Sequence, residues 1–192
     1  MQWGPGDSRL YRFITSIVLA IFALTAQTAQ AQSSTYTVTS EVALVEPLTL
    51  VNLSSLDFGS VAATTAAGTV TMTPTASPTC AVAGGIAHFG TCQPAEFLGY
   101  GATGMVFRVK LPVGRQTTIT GPGGSILIDN MTVDGNPELV LIQINNSQGF
   151  VRYRIASANG IFHFRVGGRL NVNANQLPGT YSGTFDIRID YQ

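Results

Sequence analysis

Residues 179–192, at the end of the chain, follow a period of two without a break. Odd positions carry Gly179, Tyr181, Gly183, Phe185, Ile187, Ile189 and Tyr191, while even positions are all polar. Side chains of an extended chain point alternately to two faces, so this stretch has one apolar face and one wet face. Wound as a helix, it would scatter Phe185, Ile187, Ile189 and Tyr191 around the circumference and bury charge. The pattern predicts a single strand over residues 179–192, and such a strand requires a core made largely of sheet.

The same period recurs upstream. Phe162, Phe164, Val166, Gly168, Leu170, Val172 and Ala174 share one register, against His163, Arg165, Arg169, Asn171 and Asn173 in the other. This strand is expected to pair with the final one across the turn at residues 175–178. Met105, Phe107, Val109 and Leu111 alternate with Arg108 and Lys110, and residues 150–155 alternate around Arg152 and Arg154. Residues 139–144 are apolar on both faces, which predicts a central strand. Residues 70–72, 97–101 and 125–133 read as further strands, and residues 121–124 and 134–137 as turns. Near the start, Tyr36, Val38, Val42 and Leu44 alternate with polar residues around the small Ser40, and Pro47 interrupts the run. Residues 75–94, with two prolines, Gly84-Gly85 and both cysteines, read as irregular. No helical period appears after residue 31. Eight to ten short strands between Gly and Pro turns predict an all-β, antiparallel, immunoglobulin-like sandwich, with a closed β-barrel as the alternative.

Arg9 and Arg12 precede an apolar run over residues 13–24, and Ala29-Gln30-Ala31 fits the small-x-small cleavage rule. This is the pattern of a secretory signal peptide over residues 1–31, with a membrane anchor as the alternative. Residues 32–192 then form one domain, which buries roughly 70% of its unfolded surface. Beyond the leader, eight Lys or Arg face nine Asp or Glu. That balance lacks the basic footprint of a nucleic-acid binder. In an exported chain the two cysteines, Cys80 and Cys92, read as a disulfide; a metal pair has no nearby further ligand to support it.

Catalytic constellations are scarce. His163 lies on the polar face of its strand and His88 in the loop between the cysteines, neither with an acid and nucleophile in view. The acids are scattered, so no pair suits glycoside cleavage. Asp129, Asp134, Asn136 and Glu138 cluster in sequence; their spacing does not match a known calcium loop, so the stretch reads first as a turn, with a calcium site as the alternative. Arg152, Arg154, Arg165 and Arg169 read as a solvated sheet face, or as a basic strip for an anionic glycan. The expectation is a non-enzymatic protein with no cofactor, no metal, no nucleic-acid partner and no small-molecule substrate.

Leu56-Asp57-Phe58-Gly59, Gly84-Gly85 and the ending from Asn173 to Phe185 resemble the bacterial secreted family called domain of unknown function 4402. The ending also resembles spore-coat-protein-U-like secretion proteins and pilus subunits of the chaperone–usher pathway. In those pilins the last strand alternates, with a penultimate tyrosine and a glycine fourteen positions from the end. Tyr191 and Gly179 hold those positions here. The resemblance implies that Gly179, Tyr181, Phe185, Ile187, Ile189 and Tyr191 form a strand first gripped by a periplasmic chaperone and delivered to an outer-membrane usher. It implies too that residues 32–46 act as a donor extension, presenting Tyr36, Val38, Ser40, Val42 and Leu44 to a like subunit by β-strand addition. The alternatives are a self-complete monomer acting as a secreted adhesin or glycan-binding module, and, least favoured, a hydrolase with an unusual site. Either of the first two places the protein in the periplasm, at the cell surface or outside the cell.

Overall fold

Alternation between more and less buried side chains runs through most, though not all, strands of the computed structural model, which describes Val42 and residues 46–135 and 137–192. Its strands are β1 (Thr49–Ser54), β2 (Ser60–Ala62), β3 (Gly68–Met72), β4 (Cys80–Gly84), β5 (Ala87–Phe89), β6 (Ala95–Tyr100) and β7 (Val106–Lys110). Then follow β8 (Thr117–Gly121), β9 (Gly124–Asp134), β10 (Leu139–Asn145), β11 (Phe150–Ile155), β12 (Ile161–Val172) and β13 (Arg188–Tyr191). The only helical element among the described residues is a 3-10 turn at Val113–Arg115.

The organising strand is β12. Along one edge it pairs first with β6, through Ile161 to Val166, and then with β3, through Gly168 to Val172. Its other edge pairs with β9. The change of partner falls at Gly167-Gly168. A Cβ on Gly167 would lie 2.5 Å from the Met72 carbonyl oxygen, so only glycine lets the neighbouring backbone approach so closely. Outside these strands lie β1 on β6, β4 on β3 and β8 on β9, completing a seven-stranded antiparallel sheet. A four-stranded antiparallel sheet, in the order β10-β11-β7-β13, packs against it. The small β2-β5 pair stands apart from both.

The inner faces meet in one core. Phe162, Phe164 and Val166 from β12, Phe107 and Val109 from β7 and Met131 from β9 are fully buried. Phe107 of one sheet lies 4.7 Å from Phe162 of the other, and Phe97 stacks on Phe164 at 5.0 Å. The fold is therefore the expected all-β antiparallel sandwich.

Four expectations are corrected. Residues 179–192 do not form one strand: only Arg188–Tyr191 does, and it pairs with β7 rather than with β12. The earlier part, held by a bridge between Ser182 and Thr120, runs beside β8 on the other sheet, so the segment spends its middle crossing between sheets. Its alternation survives because the core lies on the same side throughout. Residues 139–145 are an edge strand, not a central one, and Val140, Leu141, Ile142 and Ile144 are all exposed. Residues 75–94 carry β4 and β5, short strands whose small residues hide the period. Finally, Arg152 and Arg154 lie on the outer face of the four-stranded sheet, whereas Arg165 and Arg169 lie on that of the seven-stranded sheet. They do not form one strip.

On that second outer face the arginines are paired. Arg165 meets Glu96 at 2.6 Å, and Arg169 grips Asp129 with two hydrogen bonds of 2.8 and 2.7 Å. Those bonds from Arg169, helped by one from Asn171 and opposed by burial, hold the Asp129 carboxyl below its ordinary range. A depressed folded pKa contributes stability above the unfolded value of about 3.9, and that contribution is lost as pH falls through the folded value. We predict that Arg169→Gln raises the Asp129 pKa toward the ordinary range and flattens the acid side of the stability profile. Carboxyl NMR titration and denaturant melts at acid pH read both; an unmoved Asp129 titration would refute the assignment.

Candidate functional site

The described residues contain a cleft of about 320 Å³ where the seven-stranded sheet curls until its two ends approach. One rim is the end of β1 and the residues after it: Asn52, Ser55 and Leu56. The other rim is Gly183, Thr184 and Phe185. The floor is apolar, with Ala95 and Phe97 from β6, Ile119 from β8 and Ile128 from β9. No titratable side chain lines it. General acid–base or carboxylate chemistry needs such a group within reach of a bound molecule, and the lining of this cleft supplies none.

Its two rims are unusual in the same way. Among the described residues β1 pairs only with β6, and its other edge has no partner strand there. Residues 183–187 keep the strand-like alternation, with Phe185 and Ile187 half-buried and Thr184 and Asp186 exposed, yet belong to no ladder. Among the described residues their hydrogen bonding is sparse: the Thr117 hydroxyl donates to the Thr184 carbonyl at 3.3 Å. Phe185, Ile187, Ile189 and Tyr191 pack against the core while remaining partly open. A chain with this pattern that lacks a neighbouring strand is under-covered on its core side.

Two tyrosines fix the ends of this segment. The Tyr181 hydroxyl accepts from the Gly123 amide at 2.9 Å and from Gln176 Nε2 at 2.7 Å, and donates to the Leu177 carbonyl at 2.8 Å. Gly179 sits against Pro122 with φ 151°, where a Cβ would lie 2.6 Å from the proline ring. The Tyr191 hydroxyl accepts from the Ala102 amide at 2.8 Å and donates to the Glu46 carbonyl at 3.0 Å. So Tyr191 ties the last strand to the chain just before β1, and the two rims diverge from there toward the cleft.

Of the expected donor face, Tyr36, Val38, Ser40 and Leu44 lie outside the described residues, as does the leader over residues 1–31; Val42 is exposed. Cys80 and Cys92 form the expected disulfide. His88 stands beside it, Nε2 lying 2.7 Å from the Phe58 carbonyl oxygen and 3.4 Å from Cys92 Sγ. The three side chains bring potential ligand atoms within 4.8 Å, but the bond between the sulfurs occupies both thiols. The Leu56–Gly59 stretch closes on this staple. Asp57 exchanges backbone hydrogen bonds of 2.8 Å with Gln93, its carboxylate accepts from the Gly59 amide at 2.8 Å, and Phe58 is buried. The Asp129–Glu138 cluster does not converge: Asp129 is taken by Arg169, Glu138 lies 3.8 Å from His163, and Asn136 is outside the described residues.

Sequence reasoning missed β8, and with it the Thr117 and Ile119 contributions to the cleft. Its signal was Thr-Thr-Ile-Thr, a β-branched run whose polar residues conceal the alternation.

The fold places the chain among antiparallel β-sandwich domains. The family model described as "Domain of unknown function (DUF4402)" matches residues 48–191, and the chain belongs to that family. No curated protein matches the chain, and neither does any solved structure.

Proposed function

We propose that this protein is an exported, non-enzymatic structural subunit of the bacterial surface that assembles by β-strand addition. The observation that carries this reading is the rim at residues 183–187, which joins no ladder and lies across a cleft with an apolar floor from the edge of β1 that has no partner among the described residues. An inserted strand satisfies backbone groups on both rims and seats alternate side chains on Phe97, Ile119 and Ile128. The proposed occupant is the segment over residues 35–45 of a neighbouring copy, because Tyr36, Val38, Val42 and Leu44 alternate in the register such a cleft accepts. The smaller Ser40 falls between them. Donor and acceptor lie on different parts of one chain, so the contact is heterologous and propagates into an open array. The chaperone–usher resemblance is consistent with this: a rim awaiting a strand needs a temporary partner, and a periplasmic chaperone supplies one.

The test uses residues 32–192 and a form lacking residues 32–46. The longer chain is expected to form oligomers that survive heating in detergent, and the shorter one to remain monomeric. A synthetic peptide of residues 35–45 should restore a heat-resistant complex with the shorter chain, and the same peptide with Val38→Asp and Val42→Asp should not. A longer chain that stays monomeric, or a shorter chain indifferent to the peptide, would overturn the proposal.

A further inference from the structure

The outer face of the four-stranded sheet carries charge that the rest of the molecule does not balance locally. Strand register places Arg154 and Arg152 on β11, Arg108 and Lys110 on β7 and Arg188 on β13 toward the same side. Five of the chain's ten Lys and Arg therefore share one sheet face, although the chain as a whole has formal net charge zero. The paired positions of this face include one acid, Asp190, which accepts from Arg108 at 3.2 Å and Arg188 at 3.0 Å. Asp186 follows the same alternation two residues before Arg188. The opposite outer face differs: Arg165 and Arg169 each have their own carboxylate.

Two details argue against an idle solvated surface. Arg152 and Arg108 stand directly opposite each other across β11 and β7. Like charges in that position destabilise a sheet, so stability alone does not favour them. Both guanidinium groups lie over the ring of Phe150, at 5.0 and 5.6 Å from its centroid. Phe150 is buried yet stands outside the core cluster, so the arginines themselves form its cover. The stack holds both guanidinium planes in a set orientation, and the Nε of each is without a hydrogen-bond partner. Arg152 is steadied further by the neutral oxygens of Gln143 and Gln192, and among the described residues it makes no ion pair.

The cations also have an order. From Arg154 to Arg152, Arg108, Lys110 and Arg188 the path steps alternately along a strand and across to the next. The steps are about 7 Å along a strand and about 5 Å across. That is a stripe running across the sheet. A lone phosphate meets one or two of its members, whereas a linear polymer with anionic groups at similar intervals meets them all. Guanidinium forks suit carboxylate and sulfate oxygens. Single-stranded nucleic acid calls for aromatic platforms on which bases stack, and the aromatic on this face is covered by its arginines.

We infer that the outer face of the β10-β11-β7-β13 sheet is a docking surface for a linear anionic polysaccharide bearing carboxylate or sulfate groups. None of these cations lines the β1 cleft, so the inference stands or falls apart from strand addition.

The test is binding of the chain over residues 32–192 to dextran sulfate and polygalacturonate, with uncharged dextran as control, across a salt series. Both polyanions should bind, the neutral polymer should not, and affinity should fall steeply with salt. The triple variant Lys110→Gln, Arg152→Gln, Arg154→Gln should bind roughly tenfold or more weakly at low salt, in keeping with lost counterion release. The pair Arg165→Gln and Arg169→Gln should bind as the parent does. Thermal melts establish that both variants are folded, and Lys110→Gln with Arg154→Gln, which spares the Phe150 stack, provides a second reading if the triple variant is not. Failure to bind either polyanion at low salt, or equal losses from both faces, would overturn the inference. Tighter binding to single-stranded DNA or to anionic phospholipid vesicles than to the polysaccharides would overturn it too.

Discussion

Replacing Phe162 by alanine is expected to destabilise the sandwich by about 4 kcal/mol, within the roughly 3–5 kcal/mol typical of buried phenylalanine truncation. Phe162 is fully buried, and its ring lies between the two sheets. On one side it meets Phe107 at 4.7 Å; on the other it lies over Gly99. A Cβ on Gly99 would come within 2.2 Å of the ring, so β6 has been left bare to admit it. Three strands from both sheets thus converge on one side chain, and the void left by alanine has rigid sheet on both sides and collapses poorly. A melting temperature lower by on the order of 10 °C is expected for a domain of this size. Gly99→Val should destabilise by the opposite route, overpacking the same space. Calorimetry of the three proteins decides. A Phe162→Ala protein within a degree or two of the parent would mean that the sheets are not held at this point.

How far these features could be read in the sequence depends on whether the reason for them was local. Inner faces were legible, because burial and period coincide: Phe107 and Val109, Val151 and Tyr153, and Phe162 to Val172 all point where their alternation predicts. Pairing was not, because it is decided between distant residues. The 179–192 stretch shows the difference. Its alternation says which side faces a core, but not that one half lies beside β8 and the other pairs with β7. The β10 residues show a second difference. An apolar strand reads as central, yet Val140, Ile142 and Ile144 are exposed on an edge, which marks that edge as able to pair with another chain. The cleft itself was invisible, since its two rims and its floor come from β1, β6, β8, β9 and the C-terminal segment. The sequence carried only its shadow, the alternating residues near both ends of the chain. The basic stripe was half legible: Arg152 and Arg154 were noticed, but register alone showed that Arg108, Lys110 and Arg188 join them while Arg165 and Arg169 do not.

Apolar alternation that is not fully used inside the domain connects these observations. A sandwich that needed only its own stability would close β1 against residues 183–187 and place polar residues on β10. The described residues instead leave a cleft open and an apolar edge on β10, while Tyr181 and Tyr191 anchor the C-terminal segment. That combination, firm anchors around an under-covered groove, is what the proposed strand addition would require.

Removing the disulfide, as Cys80→Ala with Cys92→Ala, is expected to lower stability by about 3 kcal/mol, the chain-entropy value for closing a short loop. The sequence separation is 12, and the loop lies at the margin of the fold. Among the described residues β4 is an edge strand paired only with β3, and β5 pairs only with the three residues of β2. Besides the β3–β4 ladder and buried Ile86, this margin is joined to the body on the Cys92 side, through the Asp57–Gln93 bridge and the His88 contact with the Phe58 carbonyl. Without the bond, β4 loses its fixed end, and the loss should appear locally as well as globally. Hydrogen exchange should therefore show faster exchange at the amides of β4, β5, Asp57 and Gln93, with β7, β11 and the centre of β12 keeping their protection until global unfolding. Mild reduction of the parent should give the same map. Uniform loss of protection across all strands would instead mean that the bond acts only through the unfolded chain. An unchanged melting temperature would mean that the Leu56–Gly59 stretch and its partners hold this margin without it.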